Sequence, residues 1–149
     1  MLQNNDEAPE VTATDHDGDT VTLNFAKPTV LYFYPRDGTP GCTIEAEGFD
    51  AELVAYRDSG VAVYGVSTDD VESHAAFRRE NDLDVDLLAD PNGAVADAFG
   101  VTVEGGAAER VTCVLADGEV RRVYRGVDPD GHARQVLHDL VDEGVVVDT

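Results

Sequence analysis

The residues best suited to chemistry form one short stretch, Thr39-Pro40-Gly41-Cys42, which follows an apolar run and a polar loop. Thr39 suits the N-cap of a helix. Pro40 suits the first helical position, because its missing N–H would have no partner there. This register makes Cys42 the third helical residue, near unpaired backbone N–H groups and the positive end of the helix dipole. Because that setting favours the thiolate, Cys42 is predicted to be a nucleophile.

The pattern Pro35-x-x-x-Thr39-x-x-Cys42 resembles the peroxidatic motif of the peroxiredoxins. The longer string FYPRDGTPGCTIEAEGF is most similar to the bacterioferritin-comigratory-protein, or PrxQ, branch of that family, and the resemblance covers nearly the whole chain. It implies a thiol peroxidase that reduces hydrogen peroxide and organic hydroperoxides with no metal, heme, flavin or other cofactor. The Cys42 sulfur would become a sulfenic acid as the peroxide O–O bond breaks.

The resemblance also assigns roles around the cysteine. The Thr39 hydroxyl would cap the helix and bond a peroxide oxygen, although a cap alone is the simpler interpretation. Pro35 would shape and shield the pocket, or merely end the strand before it. The backbone N–H groups of Gly41 and Cys42 are candidates for stabilising charge on the departing oxygen.

Two charged residues complete the predicted site. Arg110 is the first residue of a predicted apolar strand. The resemblance implies that it holds the thiolate and the peroxide. A guanidinium suits this role because it stays charged and presents several donors in a fixed geometry. The alternative is a surface arginine at a strand end. Glu45 is given a supporting role, as a first-turn carboxylate that favours the helix dipole.

The chain contains two cysteines, Cys42 and Cys113, which is too few for a disulfide framework. A CxxC redox pair is excluded because Glu45 stands where the second cysteine would be. Many PrxQ proteins carry a resolving cysteine five residues after the peroxidatic one, and here that position is Glu47. No local disulfide can therefore form.

Cys113 is a weak candidate for the resolving cysteine. It lies three residues after Arg110 on one predicted strand, and alternation along a strand turns the two side chains to opposite faces. We therefore expect a core thiol at Cys113 and a one-cysteine cycle. The reductant would be a thioredoxin-like or glutaredoxin-like protein, or a small thiol.

Apolar periodicity and turn residues predict an α/β protein, with a single domain over residues 1–149. The expected architecture, which agrees with the resemblance, is a thioredoxin-like three-layer fold with a central mixed sheet and an N-terminal β-hairpin. The predicted strands are 29–34, 61–66 and 87–88, with hairpins at 11–23 and 110–124. The predicted helices run from Pro40 to about Asp58 and over 71–81, 94–99 and 129–143.

Several side chains receive a predicted environment. Helical spacing places Phe49, Leu53 and Tyr56 in the core, with Ile44 and Val54 beside them. The third helix is expected to expose its polar residues, which are Ser73, His74, Arg78 and Arg79. The last helix is expected to carry an apolar stripe made of Val136, Leu137, Leu140 and Val141. Its two histidines, His132 and His138, are expected to be solvated.

The aspartate-rich turn at 15–19 invites a calcium interpretation, which its spacing disfavours. An EF-hand loop needs glycine at its sixth position and glutamate at its twelfth. Counting from Asp15, those positions hold Thr20 and Ala26. No metal site is predicted.

The composition constrains the partners. Acidic residues number 31 and basic ones 10, for a net charge of −21, which disfavours binding to nucleic acid or to anionic membranes. Many carboxylates, one lysine and an ordinary apolar share indicate a halophile-like source. The N-terminal residues lack the basic and apolar regions of a signal peptide, so we expect a cytoplasmic protein, as a monomer or homodimer.

Two further functions remain open from the sequence. One is a thiol–disulfide oxidoreductase on the same fold, against which the missing CxxC counts. The other is a non-catalytic peroxide sensor in which oxidation of Cys42 is the signal. Turnover separates the sensor from the peroxidase, because a sensor is oxidised once and an enzyme cycles.

The net charge leads to a prediction about salt. Self-repulsion among carboxylates destabilises the compact state, and added ions screen it. We expect the midpoint of thermal unfolding to rise with KCl up to molar concentrations, and to rise more than in sucrose of equal osmolality. A highest melting temperature in dilute buffer would contradict the halophile interpretation.

Overall fold

A computed structural model describes residues 3–142 and 144. Nine strands and five helices lie within that range. In chain order they are β1 (Val11–Asp15), β2 (Thr20–Leu23), β3 (Thr29–Phe33), α1 (Pro40–Ala51), α2 (Leu53–Asp58), β4 (Ala62–Ser67), α3 (Val71–Asn81), β5 (Asp86–Ala89), α4 (Ala94–Phe99), β6 (Val103–Glu104), β7 (Ala107–Ala108), β8 (Val111–Ala116), β9 (Glu119–Arg125) and α5 (His132–Asp142).

Seven strands form one sheet in the order β2-β1-β5-β4-β3-β8-β9. Strands β3, β4 and β5 are parallel, whereas β8 joins β3 antiparallel and β1 joins β5 antiparallel. The predicted mixed sheet and N-terminal hairpin are therefore confirmed. Both β3 and β8 are buried along their whole length, as apolar strands in the middle of a covered sheet should be.

Alternating side chains of the sheet fill two separate cores. On β3, Val30 and Tyr32 face the core beneath α1, α3 and α5, while Leu31 and Phe33 face the core beneath α4. This arrangement gives the three layers that the sequence predicted. The same alternation determines which side chains of β8 point toward α1.

A glycine on β4 allows α1 to seat closely on the sheet. Gly65 pairs with Tyr32 across the β3–β4 register. A Cβ atom at Gly65 would lie 2.6 Å from the Tyr32 ring and 2.8 Å from Leu87, closer than real Cβ contacts allow. The space is used by the Tyr32 ring, which stacks on Phe49 of α1 with ring centroids 4.4 Å apart.

Some predicted details of the helices are wrong. The helix expected to run to Asp58 is interrupted at Glu52, whose backbone leaves the helical region with φ −96° and ψ 2°. Phe49, Leu53 and Tyr56 are buried as predicted, but Ile44 and Val54 are 48% and 70% exposed because they lie on the outer side of these helices.

The last helix agrees better with its prediction. It spans His132–Asp142, with Val136 and Leu140 in the core, and the predicted end at residue 143 lies outside the described residues. Among residues 3–142 and 144, no helix combines the length and the apolar character needed to cross a membrane.

Candidate active site

The loop between β3 and α1 places Cys42 at the start of a helix. Thr39 is the N-cap residue, Pro40 is the first helical residue, and Cys42 is the third, as predicted. Cys42 lies on the inner side of α1 and is only 1% exposed. The thiol is therefore close to the unpaired N–H groups of the first turn, but it is covered by protein.

The Thr39 hydroxyl does not cap this helix, so that part of the prediction is wrong. It donates instead to the backbone carbonyl of Arg36, at 3.0 Å. The Thr39 carbonyl accepts two bonds from Thr43, one from its backbone N–H and one from its hydroxyl. Thr39 therefore organises the loop and the first turn through backbone groups, and its hydroxyl closes the loop on itself.

Arg110 reaches the cysteine from the position just before β8. Its Nη2 atom lies 3.4 Å from the Cys42 Sγ atom. Its Nη1 atom lies 2.8 Å from the Glu45 Oε1 atom, in an ion pair whose carboxylate is fully buried. One guanidinium thus joins the thiol and a carboxylate on two successive turns of α1.

The backbone of Gly41 makes room for this guanidinium. A Cβ atom at Gly41 would lie 3.2 Å from Arg110 Nη2 and 3.7 Å from Pro129. A side chain at this position would crowd the donor that contacts Cys42. Gly41 is thus needed for close packing here, a reason separate from the predicted role of its N–H group.

Glu45 differs from its predicted setting. It lies beyond the first turn of α1 and is 1% exposed, on the same inner side as Cys42. Burial raises its pKa to about 7, and the Arg110 guanidinium offsets only part of that rise. Its second oxygen, Oε2, has no hydrogen-bond partner among the described residues. The sequence identified the residue but not its role as the counter-charge of Arg110.

Cys113 lies on the other face of the sheet. It belongs to the core beneath α4, whereas Cys42 belongs to the core beneath α1, as the alternation along β8 predicts. Burial raises the pKa of the Cys113 thiol to about 12, so this thiol stays protonated at neutral pH.

His132 is buried, so its prediction as a solvated side chain is wrong, while His138 is exposed as predicted. The His132 Nε2 atom lies 2.8 Å from the Thr112 hydroxyl, and the ring packs edge-on against Phe49. Burial, with Arg110 nearby, lowers the pKa of His132 to about 4. A neutral imidazole therefore borders the site.

A second polar cluster lies beneath the loop, and sequence analysis missed it. His74, expected on the wet side of α3, is fully buried and contacts Asp37 at 2.7 Å. The available signal was helical spacing, because His74 precedes the core residue Phe77 by three positions. Asp37 and His74 are 37 residues apart, so no local pattern predicts their contact.

Two groups of side chains have metal-ligating chemistry within 4.8 Å. One is Asp37, Asp69 and His74; the other is the turn of Asp15, Asp17 and Asp19. In the first group the facing atoms already bond one another or neighbouring hydroxyls. In the turn, Asp15 accepts bonds from the backbone of Asp17 and Asp19. Hydrogen bonds therefore connect the members of the first group, whereas in the turn they involve only the Asp15 carboxylate.

Pro35 lies at the surface end of the site. It is partly exposed and lines a shallow depression with Ala107 and Ala108 of β7 and with Glu104 and Glu109. Neither Cys42 nor Arg110 is among the residues that line this depression. The structure thus places Pro35 in a surface depression that the reactive groups do not line, and its predicted role in shaping the pocket stays a prediction.

The buried carboxyl of Glu45 gives a pH-dependent prediction. Its folded-state pKa of about 7 exceeds the ordinary value of 4.5, so the folded protein holds this proton more tightly than the unfolded chain does. The group therefore lowers stability as pH rises from about 4.5 to about 7. Relative to wild type, the unfolding free energy of Glu45→Gln should rise by about 2 kcal/mol between about pH 5 and about pH 8, measured by urea unfolding.

Glu47→Gln is the matched control, because Glu47 lies two residues further along α1 and is exposed. Over the same range, the unfolding free energy of this variant relative to wild type should change much less than that of Glu45→Gln, because Glu47 is not buried. If Glu45→Gln kept a constant difference, the buried carboxyl would not be titrating as we infer.

Comparison with known proteins agrees with this arrangement. The sequence pattern of the AhpC/TSA family matches residues 5–123. The bcp protein of Coxiella burnetii, a peroxiredoxin by name, is 34% identical over 143 residues, covering 89% of this chain and 95% of the relative. The chloroplastic peroxiredoxin Q of Triticum aestivum is 39% identical; the match covers 87% of this chain and 62% of that longer protein.

Solved structures give the same result. Peroxidoxin BcpB of Mycobacterium tuberculosis superimposes with a TM-score of 0.88 at 31% identity, covering 95% of this chain and 98% of the other. The bacterioferritin comigratory protein of Xanthomonas campestris, studied for alkyl peroxide reduction, gives a TM-score of 0.83 at 34% identity over 89% of this chain and 91% of the other. With its cysteine, arginine and sheet arranged as described, this chain belongs to the AhpC/TSA family and is a peroxiredoxin similar to the BCP/PrxQ proteins.

Proposed function

We propose that this chain is a thiol-dependent peroxidase that reduces hydrogen peroxide and organic hydroperoxides. The observation that carries the proposal is the Arg110 guanidinium, 3.4 Å from the Cys42 sulfur at the start of α1. A fixed positive charge beside the sulfur and a place in the first turn of a helix are the setting that nucleophilic cysteines use. Peroxiredoxins as a class act on peroxides and are reduced by thiols.

In the proposed reaction, the Cys42 thiolate attacks one peroxide oxygen. An S–O bond forms as the O–O bond breaks, and the sulfur becomes a sulfenic acid. The other oxygen leaves with the electron pair and takes up a proton, giving water or an alcohol. Arg110 and the N–H groups of Gly41 and Cys42 stabilise the charge on that leaving oxygen.

The remaining site residues support this step. Glu45 holds the other terminal nitrogen of the guanidinium, Nη1, which fixes the direction of the Arg110 Nη2 donor. The Thr39 hydroxyl and Pro35 shape the entrance of the pocket. Because the Thr39 hydroxyl donates to the Arg36 carbonyl, its oxygen lone pairs are what it offers to a peroxide O–H.

The cycle closes with a thiol from outside the chain. Glu47 replaces the usual resolving cysteine, and the chain's other thiol lies in the opposite core. An external thiol would attack the sulfenic sulfur and release water, and a second thiol would then free Cys42 from the mixed disulfide. The reductant is a thioredoxin-like or glutaredoxin-like protein, or a small thiol.

Two cysteine variants test the function. Cys42→Ser should abolish thiol-dependent peroxide consumption, because it removes the nucleophile. Cys113→Ala should keep turnover within about twofold of wild type, since this thiol is buried in the other core and its loss is a small change there. Peroxide consumption with dithiothreitol as the reductant is the measurement; near-normal turnover in Cys42→Ser would exclude the proposal.

A separate experiment tests how the cycle closes. One equivalent of peroxide without a thiol should give Cys42 sulfenic acid, and excess peroxide should add a second oxygen and give sulfinic acid. With a small thiol present, peptide mapping under non-reducing conditions should find a mixed disulfide at Cys42. A stoichiometric Cys42–Cys113 bridge formed during turnover would show a two-cysteine enzyme instead.

A further inference from the structure

The proposed cycle changes the charge beside Arg110 twice in each turnover. Attack on a peroxide converts the Cys42 thiolate into an uncharged sulfenic acid, and reduction by thiols restores the thiolate. Arg110 keeps its positive charge throughout, because a guanidinium is not deprotonated in proteins. The balance of charge around this partly buried cation therefore depends on the state of the sulfur.

Glu45 is the second acid that faces the guanidinium. Its Oε1 atom lies 2.8 Å from the Arg110 Nη1 atom, while the Cys42 Sγ atom lies 3.4 Å from Nη2. Each of the two acids is only 1% exposed. If both were ionised, two buried negative charges would share one positive charge, and a buried charge without compensation is costly. A single guanidinium can compensate only one of them.

The second oxygen of Glu45 is an independent indication that this carboxyl binds a proton. An ionised carboxylate offers sites for about four hydrogen bonds. Here Oε1 accepts from Arg110, but Oε2 is buried and has no partner among the described residues. Leaving a charged oxygen without a partner costs more than leaving a neutral one. Because Oε1 already accepts the Arg110 donor, Oε2 is the atom that would carry the proton.

The other titratable groups around this pair do not supply the missing positive charge. From α5, His132 stays neutral, because burial, with Arg110 nearby, lowers its pKa to about 4. From β3, Tyr32 keeps its phenolic proton, because burial and then the charge of Glu45 raise its pKa well above the ordinary value. Among the described residues, Arg110 is the one cation in contact with either acid. Burial raises the pKa of Glu45 to about 7, so this carboxyl can gain and lose a proton near neutral pH.

We propose that Glu45 binds a proton while Cys42 is a thiolate and gives it up when the sulfur becomes neutral. Arg110 then faces one negative charge in every state of the cycle. Glu45 is a positioning residue in this scheme, because it acts on the sulfur through the guanidinium. The scheme rests on the proposed function for its role in turnover. The proton on Glu45 can be measured without any peroxide.

Atoms and charges balance in both halves of the cycle. In the oxidation, the thiolate, a peroxide ROOH and protonated Glu45 give the sulfenic acid, the alcohol ROH and the Glu45 carboxylate. In the reduction, two external thiols become one disulfide, the sulfenic oxygen leaves as water, and the remaining proton returns to Glu45. Solvent carries the proton in each direction, so Glu45 does not need to contact the peroxide.

The test blocks the sulfur chemically in a Cys113→Ala parent protein, where Cys42 is the one remaining thiol. Methyl methanethiosulfonate converts a thiolate into an uncharged methyl disulfide and releases methanesulfinate, a step that neither consumes nor produces a proton. Reaction is continued until mass spectrometry shows that it is complete, and ultraviolet absorbance gives the fraction of thiolate beforehand. An indicator dye then counts protons. At about pH 8 the parent should release about one proton per thiolate blocked, because the pKa of Glu45 falls as the sulfur is neutralised.

Glu45→Gln is the decisive variant, because glutamine keeps the shape of the side chain but has no proton to release. In the parent background it should lower the release to almost none per thiolate. Glu47→Gln is the matched control, an exposed glutamate two residues away on α1, and it should release as much as the parent. No release from the parent, or an unchanged release from Glu45→Gln, would overturn the proposal. Should Glu45→Gln fold poorly, the count in the parent and the spectrum described next still decide.

Infrared difference spectroscopy identifies the group that loses the proton. A protonated carboxyl has a carbonyl stretch that is separate from the bands of a carboxylate. The spectrum before blocking, minus the spectrum after it, should contain this band in the parent and in Glu47→Gln but not in Glu45→Gln. A merely structural role of Glu45 would give no such band. The band should shrink below about pH 6, where a carboxyl with a pKa of about 7 is protonated both before and after blocking.

The rate of sulfenic acid formation connects the proton to turnover. In the parent this rate should fall as pH rises and Glu45 ionises, because the carboxylate then competes with the sulfur for the guanidinium, and Glu45→Gln should lack this inflection. If the parent formed no sulfenic acid, the proposed function would fail, while the proton count would still test Glu45. If sulfenic acid formed but blocking released no proton, the proposed function would stand and this inference would fail.

Discussion

The contact of one guanidinium with both a thiol and a buried carboxylate constrains the rest of the site. Arg110 comes from the start of β8, while Cys42 and Glu45 come from α1, so the ion pair fixes the helix against the sheet. A partly buried positive charge needs a partner at close range, and Glu45 supplies it at 2.8 Å. When Cys42 and Glu45 are both ionised, the guanidinium has two anions in contact, and when the sulfur is oxidised it keeps one.

Two further neighbours of Arg110 either leave it room or carry no positive charge of their own. Gly41 leaves space for the Nη2 donor, and a side chain there would crowd it. His132 is held neutral by burial and by the nearby guanidinium, with its pKa lowered to about 4. No other positively charged side chain among the described residues contacts Cys42 or Glu45. The Arg110 guanidinium is therefore the one side-chain cation that both groups share in this part of the chain.

The sequence predicted the features that local rules determine. Proline and a cap residue placed Cys42 in the first turn of α1, and strand alternation placed Cys113 on the opposite face from Arg110. It did not predict the burial of Glu45 or His74, because each depends on a partner many positions away, at Arg110 and Asp37. The Thr39 hydroxyl was misassigned for a similar reason, since the loop offered the Arg36 carbonyl as a competing partner.

The attachments of α1 differ along its length. The last turn of the helix is fixed by the stacking of Phe49 on Tyr32, and the Asp50 carboxylate accepts hydrogen bonds from the backbone ahead of β5. The first turn follows a loop that is held through Asp37. The two ends of α1 are therefore held by different partners, the sheet and the segment before β5 at one end, and the loop contacts to α3 at the other.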